Sequence, residues 1–349
     1  VKPSGLVNDF YPFQSLPVKP PMSASTSPHS AASRRKFITQ STATVAAAGM
    51  LSSNCAVQAQ TSANSSHASP TPPPGFRYCL NTSTINGGEV PIREQLKVAA
   101  EAGYDAIEPW LRDIEKFVAG GGQLQDLAKE ISDLGLGVDS AIGFGNWIVD
   151  DPAQQTAGLE QCKRDMEVVR RLGGRYLAAP PAGATKEPKL NLDAAAKRYR
   201  QLLEIGEQCE VTPQVELWGF SYNLSTLAEV LYVAAAANHP QACVLLDVYH
   251  LYKGGSDFSN IGLVPASKLH CLHMNDYPAI PARAEIADKD RVYPGDGVAP
   301  IRMILDTLVA GGFTGTLSLE LFNREYWKLP PAEVAKTGLE KMKAAVAAG

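Results

Sequence analysis

The sequence carries no surplus of positive charge. Its 32 Lys and Arg face 36 Asp and Glu, for a net charge of −4. A nucleic-acid backbone or an anionic membrane surface therefore finds no electrostatic footprint. Cys-x-x-Cys spacing is absent. Beyond Cys55, the cysteines fall in apolar strand-like runs (Cys79, Cys243, Cys271) or helical ones (Cys162, Cys209), which reads as buried free thiols rather than disulfides or a thiolate zinc site. No apolar run is long enough for a stable membrane span. No Gly-x-Gly-x-x-Gly follows the first apolar run, where a dinucleotide site needs close backbone approach. Residues 76 to 238 contain no histidine.

What is present is a chain of 349 residues, 45% hydrophobic, enough for one large domain or two ordinary ones. A small, uncharged or mildly polar ligand suits its charge balance. The first 75 residues differ from the rest, being rich in Ser, Ala, Thr and Pro. Within them, Arg34-Arg35, Phe37-Ile38, a modest apolar run from Ala43 to Leu51 and Val57-Gln58-Ala59 look like a twin-arginine export signal cleaved after Ala59. Asn54 is too large for the small residue that precedes a lipoprotein cysteine, which argues against Cys55 as an anchor. The expected organisation is an export leader over 1–59, a Pro-rich flexible linker over 60–75 and a folded domain over 76–349. The expected location is periplasmic. The chain begins with Val; a start at Met22 would leave a more ordinary leader.

From Phe76 onward, short apolar runs alternate with longer amphipathic stretches, the signature of repeated βα units on a parallel sheet. Strands are expected at 76–82, 104–110, 136–142, 174–180, 212–218, 242–248, 269–275 and 315–321. Helices fit between them, for example 91–103, with Pro91 at its first turn and Gly103 closing it, and also 193–209 and 332–348. Eight such units over this length predict a (β/α)8 barrel, a single α/β domain whose chemistry sits at the C-terminal strand ends.

The last inward residues of four successive strands are Glu216, Asp247, His273 and Glu320. A lone strand-end carboxylate ordinarily faces solvent or caps a helix. Four converging groups are different: burying three carboxylates together without a cation forces at least one to protonate. A divalent metal resolves this, and an oxygen-dominated donor set favours Mn2+, Mg2+ or Co2+. His250, three residues after Asp247, is expected at the start of the following loop, within reach of a bound substrate. Residues 271, 273 and 275 share a strand face, so His273 points into the barrel and His270 packs outside among helices.

The segments "VELWG", "LLDVYHLYKGG", "HCLHMNDYP", "DRVYPGDG" and "LSLELFNREYW" resemble the xylose isomerase-like TIM barrels of the sugar phosphate isomerase/epimerase group. The resemblance runs from residue 76 to about 347. It implies that Glu216, Asp247, His273 and Glu320 are the metal ligands. It also implies that Glu216 and Glu320 exchange a proton with the substrate carbon through a metal-stabilised enediolate, and that His250 and Arg291 hold substrate oxygens. The physics agrees, since a metal that polarises a carbonyl and its neighbouring hydroxyl acidifies the C–H between them. Glu108 matches a position that is often acidic and is expected to bind a sugar hydroxyl; Trp110 and Trp147 are expected to wall the sugar. Residues 290–297, with Gly295 and Gly297, suit a loop folded over the site.

The chain departs from the apurinic-site endonucleases that share this barrel. It has no early histidines, and Asp290-Arg291-Val292 stands where they carry a metal-binding Asp-x-His. No Gly-rich cradle or basic cluster for phosphate appears at strands seven and eight. The expected activity is therefore isomerisation or epimerisation of an unphosphorylated sugar or keto-sugar. Two alternatives are a lyase on 3-keto-glycosides using the same centre, and a barrel that binds sugar or metal without turnover. No nucleic-acid partner is expected. The resemblance also implies a homo-oligomer, dimer or tetramer, without deciding between them.

Overall fold

A computed structural model describes residues 75–87 and 89–348. The expected export leader, and the expected linker up to residue 74, lie outside the described residues.

Among the described residues there are eight strands: β1 (Arg77–Asn81), β2 (Ala106–Glu108), β3 (Gly137–Val138), β4 (Tyr176–Ala179), β5 (Thr212–Glu216), β6 (Val244–Asp247), β7 (Leu269–Met274) and β8 (Thr316–Leu319). They form one sheet in the order β3-β2-β1-β8-β7-β6-β5-β4, with every named pair parallel. Across the remaining seam, the Ala178 amide donates to the Ala141 carbonyl at 2.9 Å. The protein is a (β/α)8 TIM barrel.

After the strands come α1 (Ile92–Ala102), α2 (Leu111–Ala119) and α3 (Leu124–Asp133), α4 (Pro152–Arg171), α5 (Leu192–Cys209), α6 (Leu227–Ala236), α7 (Val248–Gly254), α8 (Ile301–Ala310) and α9 (Pro331–Ala347). Local chemistry sets their ends. Gly103 closes α1 with φ 91°, a left-handed cap that an L side chain adopts only with strain. Asn191 caps α5, its side chain accepting from the Ala194 amide, and Thr226 with Glu229 forms a capping box on α6. Among the described residues, no helix is long and apolar enough to cross a membrane.

The main core lies between strands and helices, from Leu80, Leu96 and Ile107 round to Leu319 and Met342. A separate small cluster contains Trp110, Ile142, Ala178, Leu245 and Cys271. Leu245 and Cys271 precede Asp247 and His273 by two residues, so they share strand faces with them and put an apolar layer beneath those groups.

Three local expectations change. Regular pairing in the third strand stops at Val138, after which Asp139 turns to Arg77 and Thr316; the ladder resumes only at an Ile142–Trp110 bridge. His270 is not packed among helices. It sits at the start of β7 and stacks on Tyr176 at the start of β4, rings 4.3 Å apart, so the two help close the N-terminal end of the barrel. His250 is inside α7 rather than in a loop, because Asp247 caps that helix and accepts the His250 amide at 2.8 Å.

Candidate active site

Glu216, Asp247, His273 and Glu320 come together at the C-terminal ends of β5 to β8, all buried. His273 Nδ1 lies 3.1 Å from Glu320 Oε2, 3.7 Å from Asp247 Oδ2 and 3.9 Å from Glu216 Oε1. It nevertheless makes no well-directed hydrogen bond. Ligand atoms of Asp247, His273 and Glu320 all fall within 4.8 Å of one another. A buried ring nitrogen without a partner, facing three carboxylates, is the donor set a divalent cation requires.

Arg291 joins this group from the loop after β7. Its Nη1 donates to Asp247 Oδ2 at 2.8 Å and to Glu320 Oε2 at 2.9 Å, while Nη2 pairs with Asp288 and lies 3.0 Å from His250 Nε2. Burial works against its charge, but Asp247, Asp288 and Glu320 raise its pKa further. Asp247 is held far below the ordinary carboxylate range: burial opposes this, and the Arg291 guanidinium overrides it. Burial pushes the Glu216 carboxyl up to about 8 against the pull of His273, with Glu320 and Asp247 adding to the rise. Burial lowers His250 to about 4, so its ring is neutral at physiological pH. With Nε2 facing the Arg291 donor, the His250 proton belongs on Nδ1, a buried atom that has no hydrogen-bond partner among the described residues.

Glu108 is fully buried and turned onto His273, whose Nε2 lies 3.2 Å from Oε1. Its Oε2 accepts from Asn81 Nδ2 at 3.0 Å and Ser318 Oγ at 2.7 Å. A second compact group, Glu108 with Cys271 and His273, also has metal-ligand spacing. Burial and Glu108 drive the Cys271 thiol well above its ordinary pKa, which keeps it protonated and unsuited to a cation.

Aromatic side chains surround this centre. Trp110, Phe144, Trp218 and Phe220 follow ring to ring at 5.1, 6.1 and 5.3 Å. Phe322 meets Trp110 at 5.8 Å and Phe220 meets His250 at 5.6 Å. Arg291 closes the circuit with its guanidinium 5.0 Å over Phe322. Trp147 is not part of it. Its indole donates to the Pro180 carbonyl and its ring packs on Tyr199 in the outer core.

The loop that delivers Arg291 is anchored by Asp276, a residue the sequence pattern did not single out. Its carboxylate accepts from the amides of Tyr277, Gly295, Gly297 and Ala299, and its backbone pairs with Val292 in both directions. Asn81 and Asn275 were also missed. Asn275 Nδ2 donates to Asp247 Oδ2 at 2.9 Å, and Asn81 donates to Glu320 Oε1 at 3.1 Å. Asn81 is the final residue of β1, and Asn275 immediately follows the end of β7. Looking for any hydrogen-bonding side chain there, and not only for charge, would have found them.

The family model described as "Xylose isomerase-like TIM barrel" matches residues 96–345. The chain belongs to this family. Its xylose isomerase-like relatives include an inosose isomerase of Bacillus velezensis, 26% identical, with the match covering 78% of this chain and 97% of that one. A 3-dehydroshikimate dehydratase of Pseudomonas putida is 24% identical over 72% of this chain and 39% of its own length. Among solved structures, the IOLI protein with a zinc atom superposes with a TM-score of 0.71 at 23% identity, covering 78% of this chain and 98% of that one. The protein is an enzyme of the xylose isomerase-like type.

Proposed function

We propose that this protein is a metal-dependent isomerase or epimerase that moves a proton at a carbon flanked by a carbonyl and a hydroxyl, in an unphosphorylated sugar, keto-sugar or cyclitol. The observation that carries this reading is the His273 Nδ1 atom, orphaned among the carboxylates of Glu216, Asp247 and Glu320. Those four residues are the proposed ligands. A divalent ion of the Mn2+, Mg2+ or Co2+ type held there supplies Lewis acidity to a substrate carbonyl and its neighbouring hydroxyl. A solved relative that carries zinc supports a divalent ion as a class.

The chain's own groups handle the proton. Glu216, entering from β5, acts alternately as acid and base through a carboxylate oxygen that the metal leaves free. Glu320 enters from β8 and is paired with Arg291, so the two glutamates reach the substrate from different strands. His250 offers its free Nδ1–H to a substrate oxygen, and Arg291 holds a second oxygen while balancing the carboxylates. The aromatic circuit supplies apolar walls for the C–H faces of a sugar ring and excludes water. A phosphate dianion finds little here, because the positive charge of Arg291 is already balanced by three carboxylates. An exported enzyme, as the Arg34-Arg35 leader suggests, would also meet unphosphorylated sugars.

The similarity to a 3-dehydroshikimate dehydratase supports a second reading, in which proton removal next to a ketone expels a substituent. The test is product analysis with inosose, ketoses and 3-keto-glycosides. A rearranged sugar of unchanged mass supports the proposal. Loss of water or an aglycone supports the lyase. Activity that survives both Glu216→Gln and Glu320→Gln contradicts both.

A further inference from the structure

Glu108 reads from the sequence as a ligand for a sugar hydroxyl, but its surroundings leave it no oxygen to offer. His273 Nε2 lies 3.2 Å from Oε1 and 3.1 Å from Oε2, and Oε2 also accepts from Asn81 and Ser318, side chains on the neighbouring β1 and on β8. The carboxylate is fully buried and fully used.

An imidazole that binds a metal is neutral, with one N–H and one lone pair. A carboxylate that is itself the target of two donors can present only an acceptor to Nε2, so the ring proton must sit there. The Nδ1 lone pair then points at the place where Glu216, Asp247 and Glu320 converge. Asn81 ties the arrangement together, because its Nδ2 donates to Glu108 Oε2 and to Glu320 Oε1, one carboxylate on each side of His273.

We propose that Glu108 is a positioning residue for the metal centre: it fixes the tautomer and ring orientation of His273 and so sets the affinity for the cation, without touching substrate. This rests on the reading of His273 as a metal ligand. Glu108→Gln is the informative change. The amide oxygen is claimed by Asn81 and Ser318, which turns the NH2 group toward Nε2. That selects the other tautomer and puts a proton on the nitrogen that must bind metal.

The test uses the full-length protein. Binding of Mn2+ and Co2+ is titrated against a chromophoric chelator for wild type, Glu108→Gln and Ser318→Ala, with urea midpoints in EDTA as a check on folding. A carboxylate partner of a metal-bound histidine is worth about 10–100-fold in metal affinity. Glu108→Gln is therefore expected to bind about 10–100-fold more weakly, and Ser318→Ala, which only loosens Glu108, to lose a few-fold. At saturating metal, the KM of Glu108→Gln should match wild type. If it fails to fold, Ser318→Ala carries the test alone. Unchanged metal affinity with a raised KM overturns the proposal and returns Glu108 to substrate binding. A wild type that takes up no metal overturns the proposal together with the metal reading beneath it.

Discussion

Replacing Arg291 with Met keeps most of the side-chain volume but removes the one guanidinium lying among Asp247, Glu320 and Asp288. In the absence of metal, Arg291 Nη1 is shared between Asp247 and Glu320 at 2.8 and 2.9 Å, and all three groups are buried. Removing one partner of a buried ion pair costs about 3–5 kcal/mol, because a desolvated charge is left uncompensated. At roughly 2–4 °C per kcal/mol for a domain near this size, Tm in EDTA should fall by on the order of 10 °C. Divalent metal neutralises the same carboxylates. A cation at 100 times its Kd adds about 2.7 kcal/mol to stability, and it should bind more tightly once the competing guanidinium is gone. The metal-induced rise in Tm is thus expected to be larger in Arg291→Met than in wild type. Thermal unfolding of both proteins, in EDTA and in Mn2+, reads this directly. A variant with unchanged Tm in EDTA, or with a smaller rise on metal addition, refutes the view that arginine and metal answer to one cluster of charge.

Other consequences lie at and away from the centre. Glu216→Gln should fold normally but turn over about 10²–10⁴-fold more slowly, the range for loss of a general acid–base, as a progress curve at saturating substrate shows. Asp165, buried in α4 and accepting from the Gln161 amide, has its carboxyl raised by burial from 3.8 to about 6. A carboxyl raised in the folded state favours folding fully below its ordinary pKa and loses that contribution as pH rises through about 6. The difference corresponds to about 3 kcal/mol. Asp165→Asn should therefore have a higher urea midpoint than wild type at pH 8 and a similar one at pH 4, and equal gains at both would contradict the assignment. A Cβ added at Gly297 overlaps Asp276 Oδ1 and the Tyr277 carbonyl. Gly297→Ala should cost about 1–3 kcal/mol in urea unfolding and lower turnover by displacing the loop that carries Arg291.

The barrel was legible because buried parallel strands read as short apolar runs of a single type, and that signal survives without neighbours. Strand lengths were overestimated, most at β3, since apolar composition continues past the point where Asp139 leaves the ladder for Arg77. The strand-end groups Glu216, Asp247, His273 and Glu320 were visible because a charge terminating an apolar run is locally anomalous. The direction of Glu108 was not, because nothing nearby in sequence encodes a partner 165 residues away on β7. The same holds for the aromatic circuit, whose rings come from segments after β2, β3, β5 and β8 and declare themselves only when the barrel closes. His250 was displaced from loop to helix by Asp247, which serves as helix cap as well as site carboxylate. Residues 1–59 are outside the described part of the chain, so the twin-arginine leader remains a reading of sequence.

The central claim is that this site moves a substrate proton. The direct measurement is proton NMR of the full-length enzyme with Mg2+ in D2O, incubated with unphosphorylated ketoses, inosose and 3-keto-glycosides. The account predicts deuterium entering a single carbon next to the carbonyl, abolished by chelation and by Glu216→Gln. Neither exchange nor elimination on any of these compounds, with metal bound, would contradict it and leave a barrel that binds its ligand without turning it over.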